Sequence, residues 1–162
     1  MKRVLIIGCS GAGKSTFARK LRDRTKLPLY YLDMIFHRPD RTTVSSEEFD
    51  EKLSHILQKD KWIIDGNYSR TLKTRMEYCD TVILFDLPIE ECIKGVENRI
   101  GTIREDMPWI EKEFDPEFKE WILNFPNKQT PLTYELLQEY KDRIDVVIFH
   151  TRKQADEYLK EL

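Results

Sequence analysis

No stretch of this chain approaches the roughly 20 consecutive apolar residues of a membrane-spanning helix, so no membrane partner is expected. There is no C-x-x-C pair. The three cysteines, Cys9, Cys79 and Cys92, are odd in number and far apart, which argues against a disulfide framework and for reduced thiols in a cytoplasm. A basic surplus is missing: 27 Lys and Arg face 29 Asp and Glu, for a formal net charge of −2. Specific nucleic-acid binding is therefore not expected. Internal repeats, low-complexity tracts and linker-like stretches are missing too, so 162 residues read as one domain with a sizeable core. The first residues run straight into an apolar segment, and a secretory leader is not expected.

The charge that is present is uneven. Residues 1–26 hold eight Lys or Arg and one acid, which reads as the solvated face of a first helix plus one loop lysine rather than a DNA patch. Residues 105–120 lean acidic.

Against this background one segment stands out. Gly8-Cys9-Ser10-Gly11-Ala12-Gly13-Lys14-Ser15, followed by Thr16, matches the phosphate-loop pattern G-x-x-x-x-G-K-[ST]. Each fixed position has a physical task. The glycines let the backbone curl close to a phosphate with no Cβ in the way. The N–H groups of the curl form an anion nest, and the following helix points its positive end at the same spot. Lys14 offers a mobile charge for the β- and γ-phosphates, and the Ser15 hydroxyl can ligate Mg²⁺. A chance match in a chain this long arises on the order of once in a few hundred sequences. The context fits as well. Lys2 to Ile7 is an apolar run suited to a strand covered on both faces, and Phe17, Ala18 and Leu21 share one helix face. Cys9 occupies a variable loop position, where a small side chain fits; redox sensing is the alternative.

Short apolar runs alternate with helical patterns along the rest of the chain, which predicts βαβ units and a parallel sheet. The further strands fall at Leu29–Leu32, ending at Asp33, then Trp62–Ile64, Val82–Phe85 and Val146–Phe149. Ser45-x-x-Glu48 is a capping box before Phe49, Leu53, Ile56 and Leu57. Ile89, Cys92, Ile93, Val96 and Ile100 form a helical stripe leading to Arg99. Asp115-Pro116 reads as a cap and first-position proline, with Phe118, Trp121, Ile122 and Phe125 following and Pro126 as the stop. This aromatic stripe reads as packing, with a base-stacking platform as the alternative. Thr130-Pro131 opens another helix, and Thr151-x-x-Gln154 caps the last.

Ligands in open parallel sheets sit beyond the carboxyl ends of the strands. Asp33, Asp65 and Asp86 fall there. Asp86, before Leu87-Pro88, reads as a helix cap. Asp65-Gly66, beside a buried strand, reads as functional, and Asp33 as either a substrate contact or a turn. Arg70, Arg75, Arg99 and Arg104 fall near the same face, where guanidinium forks can meet phosphoryl oxygens.

These residues resemble a family. The chain is similar to adenylate-kinase-like P-loop kinases and, more closely, to bacterial FlaR-type "DNA topology modulation" proteins. The likeness runs through Val4–Gly8 with the loop, Leu32-Asp33, Trp62-Ile63-Ile64-Asp65-Gly66-Asn67-Tyr68, Leu84–Pro88 and Trp121–Pro126. It departs at the kinases' D-G-F-P-R segment, which is one residue longer here, and at His37, where the FlaR-like proteins often have Trp. The resemblance implies a three-layer α/β fold with a five-stranded parallel sheet in order 2-3-1-4-5. The change of pattern along the chain reads as one domain with insertions after the second and fourth strands, an acceptor-binding one at about 34–60 and a lid-like one at about 100–128. The resemblance implies that Asp65 holds Mg²⁺ through water, that Arg99 opens the lid and packs on the adenine side, and that Arg104 is a lid arginine.

The leading expectation is phosphoryl transfer from ATP, with Mg²⁺, to a small molecule, a nucleotide or nucleoside among the candidates. Lys14, Arg99 and Arg104 would stabilise the transferring charge, and Asp33 would meet the acceptor. The alternatives are a slow ATPase acting as a nucleotide-dependent regulator and a DNA-associated protein.

Overall fold

The computed structural model describes all 162 residues. In chain order the elements are β1 (Arg3–Gly8), α1 (Lys14–Thr25), β2 (Leu29–Tyr31), α2 (Leu32–Phe36), α3 (Ser46–Leu57), β3 (Trp62–Asp65), α4 (Ser69–Met76), β4 (Thr81–Phe85), α5 (Ile89–Arg99), α6 (Pro116–Lys128), α7 (Thr130–Tyr140), β5 (Asp145–Phe149) and α8 (Arg152–Glu161). The five strands form one sheet in the order β2-β3-β1-β4-β5, and every pairing is parallel. The implied sheet order is the observed one.

Alternation along the strands divides the core. Val4 and Ile6 of β1 join Ile63 and Ile83 in a cluster with Phe17, Leu21, Val96 and Leu159. Leu5 and Ile7 point the other way, joining Trp62, Ile64 and Leu84 with Phe49, Leu53, Leu72 and Leu137. Helices α1, α5 and α8 thus cover one face and α3, α4 and α7 the other. All four apolar residues Val4–Ile7 are fully buried, as a central parallel strand requires.

Local capping signals act as read. The Ser45 side chain accepts from the Glu48 N–H at 3.1 Å, the Thr151 side chain from that of Gln154 at 3.1 Å, and the Asp115 side chain caps α6. Helix α1 differs. Its N-cap is Gly13 at φ 104°, without a capping side chain, and its first turn carries no acid. The positive end of this helix is left open for an anion.

Two expectations are corrected, and one element was not read. Strand β2 stops at Tyr31, whose register partner Asp65 is the last residue of β3. Leu32 has no ladder partner beyond that point, and the chain turns into the short helix α2, placing Asp33 inside a helix. Pro126 lies within α6, which runs on to Lys128. A proline in the final turn removes one donor, and the helix continues because Gln129 N still donates to the Phe125 carbonyl at 2.9 Å. Finally, α4 gave no sequence signal. Its buried face combines Leu72 and Met76 with the polar Thr71 and Arg75, so no apolar stripe marks it.

Candidate active site

The carboxyl ends of the strands open into a cleft of 1310 Å³ with the phosphate loop at its floor. The loop holds itself in shape. Lys14 Nζ donates to the Cys9 carbonyl at 2.8 Å, bridging the curl that a phosphate would fill. Gly8 N donates to Asn67 Oδ1 at 3.1 Å. Helix α5 packs hard against the other side: a Cβ on Gly11 would lie 2.0 Å from the Cys92 carbonyl oxygen, and one on Gly95 would lie 1.9 Å from that of Gly11. Both positions are glycine because two backbones touch there. Gly8, Ser10, Gly11, Gly13, Lys14, Ser15 and Thr16 all line the cleft. Cys9 and Ala12 instead bury their side chains in the core. The neighbouring Cys92 thiol, followed by burial, pushes the Cys9 thiol up.

Beside the loop, Ser15 Oγ donates to Asp65 Oδ2 at 2.6 Å. Asp65 is 5% exposed, and its Oδ1 is buried without any partner. Burial pushes this carboxyl up to about 6 against the opposing pull of Lys14 and Ser15. A carboxylate held dry beside a hydroxyl, with one oxygen unsatisfied, fits a hard divalent cation. No group of three or more His, Cys, Asp or Glu side chains is placed to hold a metal. Mg²⁺ bound by one or two protein oxygens and by phosphates matches such a sparse donor set.

The other end of the cleft is made by side chains. Asp33 Oδ1 accepts from Tyr68 Oη at 2.5 Å, and Asp33 lines the cleft. His37 meets Trp109 edge-on at 5.8 Å, while the Arg41 guanidinium lies 5.1 Å over the Trp109 ring. Trp109 belongs to the irregular segment 101–115, which bends over this end of the cleft. Glu105 accepts from Tyr31 Oη and pairs with Arg22 at 2.8 Å.

Arg99 and Arg104 both reach the cleft. Glu111 pairs with them at 3.4 and 2.9 Å. Asp106 continues the chain of charges to Arg104 at 3.7 Å and Arg19 at 3.9 Å. Burial and the adjacent Arg104 lower the Arg99 guanidinium. Arg99 also lies 5.9 Å over the Phe118 ring.

The structure separates the arginines that the sequence grouped. Arg70 is exposed and pairs with Asp50 at 2.8 Å. Arg75 is fully buried and donates to the carbonyls of Gly66, Asn67 and Tyr68. Neither lines the cleft. Two others do. Arg19 lies four residues after Ser15, on the same helix face, a spacing that could have marked it. Arg152 donates to the Gly11 carbonyl at 2.8 Å and to Glu91 at 2.9 Å. Its signal was a cation in the first turn of a capped helix, where the dipole disfavours one. Asp86 is not a cap: it accepts from Tyr134 Oη at 2.6 Å, and Pro88 precedes α5 without a side-chain cap. The aromatic stripe of α6 splits. Ile122 and Phe125 enter the core, whereas Phe118 and Trp121 line the cleft, their rings stacked at 6.0 Å.

No family model matches the chain, and no curated protein does. The likeness to topology-modulation proteins therefore rests on the sequence blocks alone. Among solved structures, shikimate kinase from Bacteroides thetaiotaomicron is similar, with a TM-score of 0.63 at 17% identity over 99% of this chain and 95% of that one. Shikimate kinase from Acinetobacter baumannii in complex with shikimate has a TM-score of 0.65 at 14% identity, over 99% of this chain and 90% of that one. At such identities the likeness is one of fold: this chain has the three-layer α/β architecture of P-loop kinases, with the parallel sheet order 2-3-1-4-5.

Proposed function

We propose that this protein transfers the γ-phosphoryl group of ATP to a hydroxyl of a small molecule. One observation carries the reading. An uncapped helix start with Lys14, the Ser15–Asp65 pair and the carboxylate of Asp33 all face a single cleft. The first is a cradle for phosphates, the second fits Mg²⁺, and the third is a base for an incoming hydroxyl.

Each residue then has a task. The loop N–H groups and Lys14 hold the phosphates. Ser15 and Asp65 hold Mg²⁺, which supplies charge neutralisation on the phosphate oxygens. Arg99 and Arg104 stabilise charge on the transferring group from the lid side. Asp33 orients the acceptor hydroxyl and takes its proton. Asp33 has no cation paired to it, and a second anion facing this carboxylate would be repelled. That favours a hydroxyl over a phosphate as the accepting group. The segment 101–115 excludes water from the transfer. Two small-molecule kinases of the same fold support the reaction class without fixing the acceptor.

The test is a screen of purified protein with ATP and Mg²⁺ against nucleosides, nucleotides and sugars, reading ADP formation and product mass. Phosphorylation of a hydroxyl compound is the expected result. Phosphorylation of nucleoside monophosphates alone would overturn the hydroxyl assignment. ADP release with water as the sole acceptor would favour a slow ATPase.

A further inference from the structure

Tyr68 has a backbone that non-glycine residues seldom adopt, at φ 31° and ψ 70°. Such strain persists only where the surroundings over-determine it. Here the surroundings are unusual. Arg75, with no solvent exposure, reaches from α4 to donate to three consecutive carbonyls, those of Gly66 at 2.9 Å, Asn67, and Tyr68 at 3.0 Å. Its Nε donates to Thr71 Oγ1 at 3.1 Å. The segment 66–68 is thereby held as a rigid bracket.

The bracket faces both ends of the site. Asn67 Oδ1 accepts from the Gly8 N–H of the phosphate loop at 3.1 Å. The Tyr68 ring stacks on Phe49 at 5.3 Å and meets Phe36 at 5.6 Å, so its hydroxyl has one direction. That direction is Asp33 Oδ1, 2.5 Å away. Burial, followed by the nearby Asp33 carboxylate, pushes the Tyr68 phenol up, so it remains a proton donor across the working pH range.

We propose that Tyr68 is a positioning residue: its hydroxyl occupies one oxygen of Asp33 and aims the other at the acceptor, while the 66–68 bracket fixes that carboxylate relative to the phosphate loop. The proposal rests on the phosphoryl-transfer reading above. It explains why a tyrosine accepts a left-handed backbone at this place. A residue without the hydroxyl would leave Asp33 free to rotate, and a misplaced base loses catalytic efficiency steeply with distance.

The experiment is a double-mutant cycle of Tyr68→Phe, Asp33→Asn and both together. It measures ADP formation with ATP, Mg²⁺ and either water or the acceptor found by the screen. Tyr68→Phe should lower kcat about tenfold, with the KM for ATP unchanged. In the Asp33→Asn background it should lower kcat no further, because its target is gone. Thermal melting and binding of a non-hydrolysable ATP analogue accompany each variant. Equal losses in both backgrounds, no loss at all, or a loss matched by weaker nucleotide binding or a lowered melting temperature would overturn the proposal. The two readings fail differently. A wild type that forms no ADP with any acceptor removes the phosphoryl-transfer reading and this proposal together. A wild type that turns over and is equalled by Tyr68→Phe removes this proposal alone.

Discussion

The phosphate loop takes its own curl from near neighbours in the chain, whereas the other end of the cleft is closed by residues far apart. Lys14 bonds the carbonyl of Cys9, five positions away, and glycines within the same eight residues let the loop curl, with Asn67, α5 and Arg152 backing it from afar. At the other end Tyr68 reaches Asp33 across 35 positions, and Tyr31 reaches Glu105 across 74. His37 and Arg41 meet Trp109 from a different insertion. The two ends meet at a few contacts, chiefly Gly8 with Asn67 and Ser15 with Asp65.

The comparison breaks first at Lys14. If the donor end works by local charge, Lys14→Ala should lower turnover by about 10²–10³, the effect of removing one donor to transition-state charge. The fold should be intact, since the lost contact lies within the loop. ADP formation and thermal melting check both halves. Wild-type turnover in this variant would refute the kinase reading.

Asp33→Asn probes the other end. It should leave affinity for an ATP analogue unchanged and reduce transfer to a hydroxyl by roughly a hundredfold, the low end for a positioned acid–base group. Calorimetric titration and steady-state rates separate the two. Weakened nucleotide binding with unchanged turnover would move Asp33 to the donor side.

Asp65 sharpens the boundary between the ends. Its folded value of about 6 lies above its ordinary 3.8, so the folded state binds more protons between those values. The stability this group contributes is complete below about pH 3.8 and is lost as pH rises through about 6. The shift corresponds to about 2–3 kcal/mol. Asp65→Asn should therefore gain about that much over the wild type between acid and neutral pH without Mg²⁺, while losing Mg²⁺-dependent turnover. Denaturant unfolding of both proteins across the range reads the difference. A gap between them that does not vary with pH would remove the assigned cause.

The smallest effect belongs to Arg70. Its pair with Asp50 is exposed on both sides, and solvent screens such pairs to about 0.5 kcal/mol. Arg70→Ala should leave ADP formation unchanged and shift the melting temperature by no more than a degree or two. A loss of turnover would return Arg70 to the site.

Much of this molecule was legible in the residues themselves. The five strand runs, the phosphate loop and the caps Ser45, Asp115 and Thr151 are local patterns: short apolar runs, glycine spacing and a side chain two or three residues from its target. The sheet order was not readable from periodicity and came through the family resemblance. Where chain and structure part, a polar side chain carries what an apolar stripe normally would. Helix α4 went unread because its buried face includes Arg75 and Thr71. Asp33 was placed at a strand end because nothing in Leu29–Asp33 shows that β3 runs out of partners at Asp65.

The sequence by itself determined the phosphate loop, because an anion cradle is made from backbone that eight consecutive residues can shape. Only the tertiary structure decided which side chains share the cleft with it. Arg19 and Arg152 line the cleft, Arg70 stays outside, Glu111 pairs with Arg99 and Arg104, and Tyr68 bears on Asp33. A contact between residues dozens of positions apart leaves no periodic trace in either segment. Its geometry exists only once the sheet has set the distance between the loops.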